Sequence, residues 1–309
     1  MIAMERITKR YGVHLALEDV TLNVPHGQVL GLLGQNGAGK TTAMNILTGC
    51  LAPSSGTVTV GGFDVLTSPR QAKRLLGYLP EMPPLYDEMT VREYLRFACE
   101  LKEVEKSAIP RHIGAVAERT GLAEAMPRKL GNLSKGYRQR VGVAQALCGA
   151  PEVIVLDEPT AGLDPKQTGE MRTLIRSLAG EHTVLFSSHI LSEVQSVCDR
   201  VVILHHGRVI CDSGLKELRR GEKRLRAVIA CGEGTLLPAL RQMAGVTHID
   251  VERGGEPGTT CAVLTVREDC QPERELFTLL SGMQWPLLRL MPVEDSLEEI
   301  FLRATGAAE

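Results

Sequence analysis

Residues 28–33, "QVLGLL", form an apolar run that leads into "GQNGAGKT" at 34–41 and then into "KTTAMNILTGCL". The run is too continuous for a half-exposed strand and too short for a core helix. It predicts a strand buried on both faces. The stretch after it reads as a helix packed on that strand, and the residues between satisfy G-x-x-x-x-G-K-[ST]. Glycines at 34, 37 and 39 let the backbone wrap phosphate groups. Successive N–H groups across Gly34, Gln35, Asn36, Gly37, Ala38, Gly39, Lys40, Thr41 and Thr42 then face the phosphates, helped by the positive end of the helix. Lys40 reaches β- and γ-oxygens, and the Thr41 hydroxyl is placed for Mg²⁺.

Two more buried strands follow. "EVIVLDEP" at 152–159 ends in Asp157, placed to hold Mg²⁺ directly or through water. Glu158 comes one residue later and points elsewhere, where it can take a proton from an attacking water. "HTVLFSSH" at 182–189 ends in His189. Apolar strands separated by helices predict a mostly parallel α/β sheet covered on both faces. "VTLNV" at 20–24 is a further strand, and "RVVILHHGRVICDSG" at 200–214 a hairpin about a His-Gly turn. The region from about 90 to 149 is mostly helical, opening on a capping box of Thr90 and Glu93. "LSKGYRQR" at 133–140 places a hydroxyl, a glycine and basic residues where a helix begins near Gly136, a second place suited to an anion.

At 219–224 the chain reads "RRGEKR", a charged connector, after which the pattern restarts. Strands at 225–231, 246–252, 259–267 and 286–292 alternate with helices at 234–244, 271–282 and 295–304. This βαββαβ order predicts a small two-layer ferredoxin-like domain over 225–309. Ala262, Leu264 and Val266 are expected in its core. No polar cluster marks a pocket there, so bracing or dimerisation is its expected role.

Composition narrows the classes of function. The 35 basic and 37 acidic residues give a net charge of −2. They split 24 to 23 up to residue 218 and 11 to 14 beyond it, so neither part advertises nucleic-acid binding. The eight cysteines form no CxxC pair and read as small buried hydrophobes in a reducing compartment. The N-terminus has no apolar core of a signal peptide, and no apolar run approaches the ~18–20 residues that cross a bilayer. A cytoplasmic chain is expected, reaching a membrane through a partner.

The ordered set "GQNGAGKT", "LSKGY", "VIVLDEP", "AGLDP" and "SSH" resembles the ATP-binding cassette family, the nucleotide-binding subunits of ABC transporters. Ser134 lies 23 positions before Asp157 and His189 lies 32 after it, both usual family spacings. The resemblance covers about residues 1–218. Within the family, "GYLPEMPPLYDEMTVREYL" looks most like ATPases of ABC-2 type exporters with separately encoded permeases.

The resemblance implies a P-loop ATPase core with antiparallel β and helical subdomains, the latter at about 82–149. It implies ATP and Mg²⁺ as cofactors, and ATP hydrolysis with Glu158 and His189 as catalytic residues. Thr41, Glu81 and Asp157 are its metal residues. Tyr11 matches the aromatic that stacks on adenine, with Val13 beside it, although a packed strand-end aromatic is the alternative. Asp164 matches a loop that communicates across a dimer. The dimer, of two copies or of this chain with a related ATPase, places Ser134 and Gly136 against the nucleotide of the other subunit. A separate membrane permease is contacted near Met82–Leu95, although Met82, Leu85, Tyr86 and Met89 also suit a core.

Two positions depart from the family pattern. Glu81 stands where Gln is usual, keeping an oxygen for Mg²⁺ but losing the amide donor. "LSKGY" stands for LSGGQ, retaining Ser134 and Gly136. Lys135 then either adds a phosphate contact or is a solvated lysine. The competing class is a soluble ABC-type ATPase acting on nucleic acid or the ribosome. Only 117 positions separate Lys40 from Asp157, without heptads for a coiled coil.

Overall fold

The computed structural model describes residues 1–215, 223–252, 258–267 and 270–293. These fall into two compact units, Met1–Leu215 and the described residues from 223 onward. In the first, β1 (Ile2–Tyr11) and β2 (His14–Val24) form an antiparallel pair that β4 (Ser55–Val60) and β5 (Phe63–Asp64) extend in the order β2-β1-β4-β5. The second sheet contains β3 (Val29–Leu33), β6 (Leu76–Leu79), β7 (Val153–Leu156), β8 (Thr183–Ser188), β9 (Arg200–His205) and β10 (Arg208–Gly214). Its order is β10-β9-β3-β8-β7-β6, parallel throughout except for the edge pair β9–β10. At the β9–β10 turn His206 and Gly207 have φ of 46° and 76°, the sign that two-residue hairpin turns favour.

Every residue of β3, β7 and β8 is buried. One core joins Ile2, Met4, Leu22 and Val58 of the antiparallel sheet to Leu30, Leu32, Val155 and Leu185 of the parallel one. Met44 and Leu47 of α1 (Lys40–Leu47) pack into the same core. Burying one such side chain contributes about 1.5–3 kcal/mol. The helix carrying Lys40 is therefore fixed to the strand that precedes it.

The helical region contains α3 (Val91–Leu101), α4 (Ile109–Thr120) and α5 (Lys135–Leu147), after the short α2 (Pro69–Leu75) of the core. Helix α3 buries Val91, Tyr94, Leu95, Ala98 and Cys99, the stripe of an amphipathic helix. Its capping box is present: Thr90 Oγ1 accepts from Glu93 N–H at 3.2 Å, and Thr90 N–H donates to Glu93 Oε2 at 2.8 Å. The helical subdomain implied from about residue 82 has its first helix only at Val91, and residues 82–89 are irregular. Pro83 and Pro84 lack the N–H groups a helix requires, and the Thr90 cap sets a later start. Met82 is 83% exposed and Tyr86 54% exposed, so neither is core. Lys102, just past α3, donates to the carbonyls of Lys73 and Leu76 at the end of α2, and burial lowers its pKa.

Two further α-helices among the described residues of this unit are α6 (Pro165–Ser177) and α7 (Leu191–Val197). All eight cysteines are free. Only Cys99, Cys148 and Cys198 are the buried hydrophobes expected; Cys211, Cys231, Cys261 and Cys270 are half-buried, and Cys50 is exposed because it follows the end of α1 rather than its apolar face. Among the described residues no helix is long and apolar enough to cross a membrane.

In the second unit, β11 (Lys223–Ile229), α8 (Glu233–Leu240), β12 (Val246–Glu252), β13 (Thr260–Val266), α9 (Pro272–Gly282) and β14 (Leu287–Val293) follow one another. The sheet is antiparallel in the order β12-β13-β11-β14, the ferredoxin-like arrangement. Alternate residues Ala227, Ile229, Ala262, Leu264 and Val266 meet Leu236, Leu240, Leu276 and Leu280 of the helices. Lys223 and Arg224 of the expected connector belong to β11. Residues 219–222 and the helix expected at 295–304 lie outside the described residues.

Helix α5 lies close over β6. A Cβ on Gly77 would fall 1.9 Å from the carbonyl oxygen of Ala146, which is backbone and has no rotamer to escape into. Gly77→Ala is expected to destabilise the first unit by about 1–3 kcal/mol, measured as a lower midpoint in denaturant unfolding.

Candidate active site

The phosphate loop, Glu81, Asp157, Glu158 and His189 follow the carboxyl ends of β3, β6, β7 and β8, four strands of one parallel sheet. Strand order therefore gathers residues from four parts of the chain at the edge where α/β sheets bind ligands. A cavity of about 500 Å³ opens there, lined by residues including Gln35, Lys40, Thr41, Glu81, Glu158 and His189.

Gly39 caps α1 at φ 106°, and a Cβ there would fall 2.7 Å from Ala16 O, so only glycine fits this approach. Lys40 begins the helix and is 6% exposed. Its ammonium donates to the carbonyls of Gly34 at 2.7 Å and Gln35 at 3.3 Å, and lies 3.3 Å from Glu158 Oε1. The other Glu158 oxygen is 2.8 Å from His189 Nδ1, a geometry in which the ring N–H donates. Ammonium, carboxylate and imidazole thus stand in a row. Only the imidazole, with a side chain 46% exposed, is open to solvent. Burying an ion pair rarely adds net stability, so this row points to chemistry rather than folding.

Asp157 is fully buried. Its Oδ1 accepts from Ser187 Oγ at 2.6 Å, and the same Ser187 oxygen accepts from Glu158 N–H at 2.8 Å. Asp157 Oδ2 has no hydrogen-bond partner among the described residues. A buried carboxylate oxygen left bare fits a hard cation that takes oxygen ligands; Thr41 and Glu81 line the cavity, whereas Asp157 lies buried and is not among its lining residues. Glu158 has φ 47°, a left-handed backbone that costs a non-glycine residue about 1–3 kcal/mol. Its N–H bond to Ser187 helps hold that conformation.

Tyr11 ends β1, half exposed at the cavity mouth, with Lys9 Nζ 5.2 Å from its ring centre. It is therefore not a packed strand-end aromatic. Val13, at the adjacent turn, is fully exposed. Asn36, Gly37, Gly39 and Thr42 also line the cavity, while Ala38 is buried beneath it. Glu81 is exposed, and its carbonyl accepts from Gln139 Nε2 at 3.4 Å.

Ser134 and Gly136 do not line this cavity. Ser134 caps α5, which begins at Lys135, and Gly136 is buried where a Cβ would fall 2.5 Å from Gln167 Oε1. Lys135 reaches over the "AGLDP" loop, where a Cβ on Gly162 would fall 2.0 Å from its ammonium. Asp164 caps α6, accepting from Gln167 N–H at 2.8 Å.

Known proteins resemble this chain. Residues 17–161 match the model of the ABC transporter family. The ABC transporter ATP-binding protein NatA of Bacillus subtilis is 41% identical over 210 residues, which span 67% of this chain and 85% of that protein. The chain belongs to the ABC transporter family. As an ABC ATPase subunit it binds and hydrolyses ATP. The bacitracin transport ATP-binding protein BcrA of Bacillus licheniformis is 32% identical over 97% of this chain and 95% of its own length. A solved ATP-binding subunit of an ABC transporter superposes with a TM-score of 0.65 at 30% identity. It covers 71% of this ABC chain and 92% of its own.

In "SSH" the histidine carries the family resemblance, and neither serine belongs to a motif of its own. A polar pair ending the apolar strand "TVLF" was the available signal. Ser187→Ala in this ABC subunit is expected to leave a buried carboxylate oxygen and a buried N–H without their partner. The cost is about 2–3 kcal/mol in denaturant unfolding of the first unit.

Proposed function

We propose that this subunit works as one of a pair, either two copies or this chain with a related ATPase, which closes around two ATP molecules and drives a separate membrane permease. The observation that carries the reading is the row Lys40–Glu158–His189 above the phosphate loop. Lys40 exchanges its carbonyl and carboxylate contacts for the β- and γ-oxygens of ATP. Glu158, relieved of the ammonium, accepts the proton of the attacking water, and His189 orients the γ-phosphate and that water.

Asp157, Thr41 and Glu81 are the residues that would hold Mg²⁺, which would supply charge neutralisation for the phosphates. Tyr11 stacks on the adenine. Ser134 and Gly136 bind the γ-phosphate held by the other subunit, which explains why they stand apart from their own cavity. Within Met82–Leu95, the side chains of Met82 and Tyr86 stand exposed ahead of α3 and offer the surface for the permease, which would put the subunit on the cytoplasmic side of the membrane. The direction is export. The near full-length likeness to a bacitracin transport protein supports transport of a compound across the membrane as the work done.

Glu158→Gln removes the proton acceptor but keeps the shape. Turnover is expected to fall by at least about 100-fold, and ATP with Mg²⁺ should shift the variant to a stable dimer in size-exclusion light scattering. Wild-type turnover in a monomer contradicts the proposal.

A further inference from the structure

One buried carboxylate holds the two loops of the site together without touching the cavity. Glu193, four residues after His189, lies in the first turn of α7 and is 3% exposed. A single oxygen, Oε2, accepts from Ser188 Oγ at 2.7 Å and from Thr160 Oγ1 at 2.8 Å. Ser188 immediately precedes His189, and Thr160 follows Glu158 by two residues. Ser188 is fully buried and Thr160 is 5% exposed, so water does not compete for these bonds. Ser188 Oγ also accepts from Ile190 N–H at 2.9 Å, which fixes the backbone on the far side of His189.

Glu193 has no ion-pair partner among the described residues, so its contacts there are hydroxyl bonds rather than a salt bridge. A carboxylate is expensive to bury on two neutral donors alone, although the α7 N-terminus offsets part of that cost. A residue serving stability alone would be replaced more cheaply by an apolar side chain of similar volume. What Glu193 supplies is a fixed span. With Thr160 tied to Ser188, the Glu158 Oε2 to His189 Nδ1 contact of 2.8 Å is built on two loops that cannot drift apart. The adjacent Ser187, which bridges Asp157 and Glu158, completes a second tie between the same strand ends.

We infer that Glu193 is a positioning residue for hydrolysis, setting the separation of Glu158 and His189 through Thr160 and Ser188. The inference rests on the proposal that Glu158 and His189 carry the hydrolytic step. Loss of Glu193 loosens that pair while the phosphate loop, which it does not touch, keeps its grip on nucleotide.

The test measures ATP turnover per bound nucleotide site in the full chain for Glu193→Ala, Glu193→Gln, Thr160→Val and Glu158→Gln. Glu193→Ala is expected to lower kcat by at least about tenfold with KM for ATP within about twofold. Glu193→Gln, whose amide oxygen can accept both hydroxyls, should stay within about threefold of wild type. Thr160→Val, a smaller perturbation that keeps the fold, should lower kcat and add little more when combined with Glu193→Ala. Unchanged turnover per site in Glu193→Ala and Thr160→Val, beside a crippled Glu158→Gln, overturns the positioning role alone. A Glu193→Gln as impaired as Glu193→Ala also overturns it. Wild-type turnover in Glu158→Gln overturns the hydrolytic pair and the positioning role with it.

Discussion

A positive charge that water barely reaches has to be surrounded by acceptors, and Lys40 is such a charge. Its ammonium finds two loop carbonyls and one carboxylate, and each exists for a structural reason. The carbonyls of Gly34 and Gln35 are within reach because the loop doubles back through Gly39 against Ala16. The carboxylate of Glu158 is within reach because β7 lies two places from β3 in the sheet, with β8 between them. None of these contacts is as good a partner for an ammonium as a polyphosphate. The loop is therefore held ready by contacts that a nucleotide can displace, and in the proposed reaction that displacement frees Glu158.

The rest of the site keeps Glu158 where the exchange can happen. Its left-handed backbone is unfavourable in isolation, and Ser187 near the end of β8 offsets this with hydroxyl bonds to Asp157 and Glu158, while Ser188 reaches Thr160 through Glu193. Because β7 and β8 are adjacent parallel strands with fully buried residues, their ends cannot shift independently. The core beneath them provides rigidity, and polar side chains at the rim convert it into a defined spacing of reacting groups. Helix α5 is attached to the same sheet at Gly77, so the "LSKGY" stretch at its start is carried by the frame that carries Asp157.

Much of this frame was readable in the sequence because its signals are local. The strand at Val29–Leu33, the glycine loop and the Thr90 cap each depend on a few consecutive residues. The mostly parallel sheet followed from three apolar runs, and the ferredoxin-like order from the alternation of strands and helices. The outer antiparallel sheet was harder, since β1 and β4 mix polar and apolar residues and gain their meaning from pairing. At 82–89, the proximity of a clear helix start at Thr90 concealed what two prolines impose. Glu193 was illegible for a different reason. Its partners lie 5 and 33 residues away, and only the fold brings Ser188 and Thr160 to one oxygen.

In the proposed reaction the carboxylate beside Lys40 is a placeholder for phosphate. A structure of the full chain, with Glu158 intact, bound to Mg²⁺ and a non-hydrolysable ATP analogue tests it most directly. Lys40 Nζ is expected to leave Glu158 for the β- and γ-oxygens, with Asp157 Oδ2 facing the metal shell. A nucleotide bound with the Lys40–Glu158 contact still at 3.3 Å would contradict it.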